Sequence, residues 1–161
     1  MTPASNKQRL FLSYSAWFAV FLWMGVIFAL SAQQSSESAA LSGQFRAVLN
    51  KFFSAGMSDF LVRKAAHTIE YFLLAILTFT AVSITRKKQV PLFTFFITFL
   101  AAVSDEIHQH FVPGRACQLR DMLIDSVGAV AGIVLCMAVV AVYRQLKKRK
   151  RERGHKKIKN I

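Results

Sequence analysis

Five of the eight carboxylates in this 161-residue chain, Glu70, Asp105, Glu106, Asp121 and Asp125, fall near the ends of apolar, membrane-length stretches. Moving a charge to mid-bilayer costs roughly 2.5–3.5 kcal/mol, and less near the interface. Ionisable groups held there therefore mark a polar site. His67 stands one helical turn before Glu70, a spacing at which imidazole and carboxylate can exchange a proton. Lys64, His67 and Tyr71 share that stripe. Asp105, Glu106, His108, Gln109 and His110 crowd into two turns, with Glu106 and Gln109 on one face and Asp105 and His108 on another. Asp121 and Asp125 lie one turn apart, after a loop that carries Arg115. Such a set can supply a general acid and base. Arginine and lysine stand close enough to hold an anion, and the planar fork of Arg suits bidentate contact with phosphate.

Other chemistries fit less well. His67 with Glu70, and Asp105 with His108, each offer two metal ligands. There is no His-Glu-x-x-His, and a di-iron bundle needs two Glu-x-x-His pairs plus two further Glu. No metal or other cofactor is expected. No nucleophile elbow surrounds Ser31 or Ser104, and no phosphate-cradling glycine loop is present. Ion translocation would need a relay through the bilayer, and the inner halves of the apolar runs hold no ionisable residue. A structural use stays open: Arg63, Lys64, Arg115 and Arg120 nearly balance the five carboxylates, so the cluster could be an ion-pair network fixing helix register.

The elements that position these groups are four apolar runs, about Tyr14 to Ala32, Ala65 to Ile84, Val90 to Val112 and Met122 to Tyr143. Runs of about 19–23 residues match the ~30 Å of bilayer hydrocarbon. They lack strand alternation, and in lipid only helices or closed barrels satisfy the backbone, so helices are predicted. At 1.5 Å per residue, Glu70, Asp105, Glu106 and Asp125 lie roughly 5–10 Å inside the ends of their helices, in one shallow layer. Gly128 and Gly132 form Gly-x-x-x-Gly, which predicts close helix approach inside the bundle and turns the Asp125 side inward. Between the first two runs, Leu41, Phe45, Leu49, Phe52 and Phe53 recur at near-helical spacing beside Arg46 and Lys51. The stripe predicts an amphipathic helix, lying either on the outer membrane surface or across the outer end of the bundle.

The composition agrees with a membrane protein: 54% of the residues are hydrophobic, 15 are Phe, and only 18% are charged. The net charge of +13 resembles a nucleic-acid signature until its location is considered. Ten of the 21 Lys and Arg lie between Arg144 and Lys159, with no aromatics interleaved for stacking, so no nucleic-acid partner is expected. A basic tail directly after an apolar run fits positive-inside topology and anionic headgroups. Four spans put the termini and the Arg86–Lys88 turn at one end, while Arg46, Lys51, Arg63, Lys64, Arg115 and Arg120 lie at the other. Both termini are therefore expected in the cytoplasm. The apolar core of the first run exceeds the 7–15 residues usual in signal peptides, so an uncleaved helix is expected. Of the two cysteines, Cys117 lies in a loop and Cys136 deep in the fourth run, on the order of 20 Å further along, too far to pair.

The residues so assembled resemble the VanZ-like family of bacterial membrane proteins. The likeness is carried by Leu-Ser-Ala-Gln at 30–33, Arg-Lys-Ala-Ala-His-Thr-Ile-Glu-Tyr at 63–71, Ser-Asp-Glu-Ile-His-Gln-His-Phe-Val-Pro-Gly-Arg at 104–115 and Asp-Met-Leu-Ile-Asp-Ser-Val-Gly at 121–128. Ala32 stands where the family often shows Ser, and Asp125 where many members have Asn. The resemblance implies a protein of the cell surface linked to reduced teicoplanin susceptibility, and no particular reaction. The family's recurrent polar positions correspond to Lys64, His67, Glu70, Glu106, Gln109, Arg115, Asp121 and Asp125.

The chain is thus expected to be an all-α membrane protein. A four-transmembrane-helix domain spans 1–144, with an extracellular amphipathic helix between spans 1 and 2, and a basic cytoplasmic tail covers 145–161. A pocket at the outer leaflet would bind or modify an anionic headgroup or a lipid-linked envelope precursor. His67, Glu70 and Glu106 are the candidate proton-transfer groups. Lys64, Gln109, Arg115, Asp121 and Asp125 are the candidate binding residues. The alternative is a non-catalytic membrane protein whose polar network is structural or docks a partner. The oligomeric state is left open by the sequence.

Overall fold

The computed structural model describes residues 3–32, 59–113 and 119–159, which form four α-helices: α1 Pro3–Ser31, α2 Asp59–Arg86, α3 Pro91–Gln109 and α4 Leu119–Lys159. Each is long and apolar enough to cross a membrane, and no strand occurs among the described residues. The expected amphipathic segment between α1 and α2, with Arg115 and Cys117, lies outside them. The bundle runs up and down. Ser13 near the start of α1 meets Thr85 near the end of α2, Ser31 at the end of α1 meets Asp105 late in α3, and α4 runs parallel to α2. The chain is a multi-pass membrane protein.

Helix α2 is central. It packs against all three other helices, whereas α1 leans on α2 and α3, and α4 on α2 and α3. One apolar cluster, with Val20, Ile27, Tyr71, Leu74, Ala101 and Ala102, joins α1, α2 and α3. A second, with Ala75, Phe79, Ala129 and Ile133, joins α2 to α4. Phe11, Phe18, Leu92 and Leu123 remain exposed on the outside, where lipid covers them without penalty. Four hydroxyls inside the spans turn back on their own helix: Thr68 donates to the carbonyl of Lys64, Thr80 to that of Ile76, Thr98 to that of Thr94 and Ser126 to that of Met122. Such bonds let polar side chains sit in hydrocarbon without a distant partner.

The helix ends follow local chemistry. Pro91 opens α3 at a position where its missing N–H is no loss, and Val90 before it is non-helical (φ −133°, ψ 69°). The other end of α3 comes earlier than the apolar run, at Gln109 in place of Val112. Phe111 and Val112 donate to the carbonyls of His108 and Gln109 at 3.0 Å, three residues back, so the chain tightens into a turn ahead of Pro113. After α2, Lys87 adopts φ 57°. A glycine usually stops a helix this way, and a side chain there costs roughly 1–2 kcal/mol. Helix α4 does not stop where the apolar run does. It continues through the basic stretch to Lys159, 41 residues in all, helped by good helix formers and a Lys148–Glu152 pair at 4.0 Å.

The glycines of α4 serve the approach to α2. A β-carbon at Gly132 would fall 2.5 Å from the Phe72 carbonyl oxygen, and one at Gly128 would meet the Thr68 carbonyl more closely still. The contact lies within the chain, as the spacing predicts. Leucine at either position must push the helices apart. Gly132→Leu should destabilise the bundle by about 1–3 kcal/mol, the usual range for overpacking, read as a lowered Tm in detergent. Gly25 has open space around it, so Gly25→Leu should leave that Tm within about a degree or two.

Candidate functional site

At the end of the bundle away from the termini, all four helices bring polar side chains to one level. Ser31 closes α1. Lys64, His67, Glu70 and Tyr71 come from the first turns of α2, Asp105, Glu106, His108 and Gln109 from the last turns of α3, and Asp121 and Asp125 from the first turns of α4. Asp105, Glu106, Gln109 and Asp125 are buried, and Asp105 is fully so. His67 lies within electrostatic reach of Glu70, Asp125 and Asp105, and Asp125 within reach of Glu106. The sequence places this convergence in a shallow layer, and the coordinates bring the same residues together.

The internal pairing is specific. Asp105 Oδ2 accepts a hydrogen bond from Ser31 Oγ at 2.8 Å and another from Gln109 Nε2 at 3.0 Å, and Gln109 also donates to Ser31 Oγ at 3.2 Å. All three side chains are buried, so α1 is tied to α3 by an internal hydrogen-bond network. Lys64 pairs with Asp121, joining α2 to α4. His67 Nδ1 and Glu70 Oε2 approach to 3.2 Å, but neither atom makes a well-directed hydrogen bond, so the contact is electrostatic. His108 stands edge-on to Phe28 at 5.4 Å between ring centres, which directs it toward α1. Trp23 donates to the Glu70 carbonyl at 3.0 Å, and Tyr71 reaches the Ala101 carbonyl at 3.5 Å.

Other atoms in this layer lack partners. Asp105 Oδ1, Asp121 Oδ1, Asp125 Oδ1 and His108 Nδ1 are buried with no hydrogen-bond partner among the described residues. A buried carboxylate oxygen without a donor is costly, by about 1–3 kcal/mol or more. Arg115, a candidate binding residue, is outside the described residues, and Arg63 precedes Lys64 on α2. Among the described residues, no three His, Cys, Asp or Glu side chains gather as a metal cage.

Ser31 is the member that the spacing of the polar residues did not single out. As a possible nucleophile it had no supporting motif; the structure gives it a different part, as the donor to Asp105. The only signal in the sequence is its place in the Leu-Ser-Ala-Gln block closing the first span. Gln109 turns to Asp105, one turn back on α3, although by spacing alone it shares a face with Glu106 as well.

Ser31→Ala removes one of two donors to a buried carboxylate. It should lower stability by about 1–2 kcal/mol, read as a lower Tm in detergent, whereas Ser31→Thr, which keeps the hydroxyl, should recover part of the loss.

The four blocks named in the sequence cover the residues of this layer, and a family model confirms the likeness. The model for VanZ/LLP1 matches residues 16–141, a stretch that holds every residue of the layer described above. No curated protein and no solved structure matches the chain. With more than three quarters of its length matched and its polar layer inside the match, this chain belongs to the VanZ/LLP1 family.

Proposed function

We propose that this VanZ/LLP1 protein carries a polar pocket at the outer leaflet of the bacterial cytoplasmic membrane. The pocket binds or modifies an anionic lipid headgroup or a lipid-linked cell-envelope precursor, and so affects susceptibility to glycopeptides such as teicoplanin. The observation that carries the reading is the set of buried carboxylate oxygens on Asp105, Asp121 and Asp125 without donors among the described residues, beside the close His67–Glu70 pair. Networks that serve packing alone rarely leave buried acceptors unmet. A site completed by cationic groups and a bound ligand would leave them in this way.

In this reading Arg115, with Lys64 or Arg63, holds phosphate, and Asp121 and Asp125 orient Arg115. Gln109 contributes to the pocket through Asp105, whose carboxylate it holds in place. Glu70 or Glu106 acts as general base or acid, with His67 as its proton partner. The outer location rests on charge. The end of the bundle with the termini and the α2–α3 turn carries 15 of the 21 Lys and Arg, which favours the cytoplasm for that end.

A second reading has its own support. The Ser31–Asp105–Gln109 network and the Lys64–Asp121 pair each bind one helix to another, as a structural network or a partner-docking scaffold would require. Glu106→Gln separates the two, because it keeps the shape of a buried side chain and removes only its charge and proton. Proton-transfer chemistry predicts that any effect on teicoplanin susceptibility is lost, turnover dropping about 10²–10⁴-fold, with membrane abundance unchanged. A structural role predicts lower abundance or a lower Tm in detergent. Full teicoplanin response in folded Glu70→Gln, Glu106→Gln and Arg115→Ala proteins would overturn the catalytic reading.

A further inference from the structure

Two different contacts close the polar layer toward the end of the bundle away from the termini. Between α1 and α3 stands the network of Ser31, Asp105 and Gln109, all buried. Between α2 and α4 stands the Lys64–Asp121 ion pair, whose two side chains each keep 15% of their surface exposed. An ion pair that water reaches holds less firmly than one sealed from it. Of the two closures, this is the one that can part.

The groups behind the pair need such an opening. Lys64 is one turn outward of His67 on α2, and Asp121 is one turn outward of Asp125 on α4. His67 Nδ1, Glu70 Oε2 and Asp125 Oδ1 are buried without a hydrogen-bond partner, out of reach of any molecule outside. Further in, at Gly128 and Gly132, the α4 backbone presses on the carbonyls of Thr68 and Phe72. The α2–α4 seam is therefore pinned at its inner levels by packing and at its outer level by charge. A charge can change partners. Asp121 uses only Oδ2 in the pair, and its Oδ1 is buried with no partner. Swinging out to water would satisfy an oxygen that the closed state leaves unmet.

We propose that the Lys64–Asp121 pair is an exchangeable latch on the site. An anionic group arriving at this end takes Lys64 from Asp121, the first turns of α2 and α4 part, and His67, Glu70 and Asp125 come within its reach. The identity of the ligand rests on the function proposed above. The latch itself is read by access alone, so a Glu106→Gln result against catalysis would leave the following measurements as they are.

The full-length protein in detergent is treated with diethyl pyrocarbonate. Modification of His67 is followed by peptide mass spectrometry, with the exposed His110 as internal reference. Asp121→Asn, close in shape, should speed modification of His67 about fivefold, the factor an accessible ion pair is worth in an opening equilibrium. His110 should react as before. Lys64→Asp combined with Asp121→Lys rebuilds the pair in reverse and should return His67 to the slow rate. Exchange is read separately with a water-soluble carbodiimide, which takes up water and joins a touching Lys64 and Asp121 by an amide. Dihexanoyl phosphatidylglycerol should lower the yield of that cross-link about twofold or more, whereas uncharged dihexanoylglycerol should not. An unchanged His67 rate in folded Asp121→Asn protein refutes the latch. So does a charge-reversed protein as reactive as Asp121→Asn, or a cross-link yield indifferent to phosphatidylglycerol.

Discussion

A carboxylate within a membrane-spanning helix has to find its donors inside the protein, because hydrocarbon offers none. That constraint organises the polar end of this bundle. Asp105 finds Ser31 and Gln109, and by doing so fixes α1 against α3. Asp121 finds Lys64 and fixes α4 against α2. The helices are thus held in register by groups that could not be left alone. The same constraint, applied to hydroxyls, explains why Thr68, Thr80 and Thr98 bond back to their own helices.

Packing supplies what these bonds cannot. Helix α2 is surrounded: 39% of its most apolar window is buried, against 11% for α1. It reaches this position because Gly128 and Gly132 let the α4 backbone lie on the carbonyls of Thr68 and Phe72. Close approach at those two levels brings the first turns of α2 and α4 together, which sets Lys64 beside Asp121 and His67 near Asp125. The small residues therefore act on the polar layer from within the apolar core.

Much of this was legible in the sequence. Length and hydropathy gave four helices, and the intervals between charged residues placed Glu70, Asp105, Glu106 and Asp125 at one level. Gly-x-x-x-Gly named the tight face of α4. Pairing across helices was not legible, since it depends on which spans are neighbours. Ser31 and Asp105 are 74 residues apart, and nothing local marks a serine at a helix end as the donor to an aspartate two spans later. Helix ends were readable only in part. The apolar run overshoots α3 because Val112 is buried in the turn after it, and undershoots α4 because lysine and arginine sustain a helix as well as valine does outside the bilayer.

The unbroken continuation of α4 changes what its basic stretch can feel. A flexible tail could lay all its lysines on the headgroups, but a helix carries them outward. Lys159 stands about 22 Å beyond Arg144 at 1.5 Å per residue, nearly three times the Debye length of about 8 Å at physiological ionic strength. If α4 leaves the bilayer near its normal, the surface potential acts mainly on the first turn or two past Arg144, and the distal charges are screened by mobile ions. Membrane attraction of this segment then depends on the tilt of one helix more than on how many basic residues it contains.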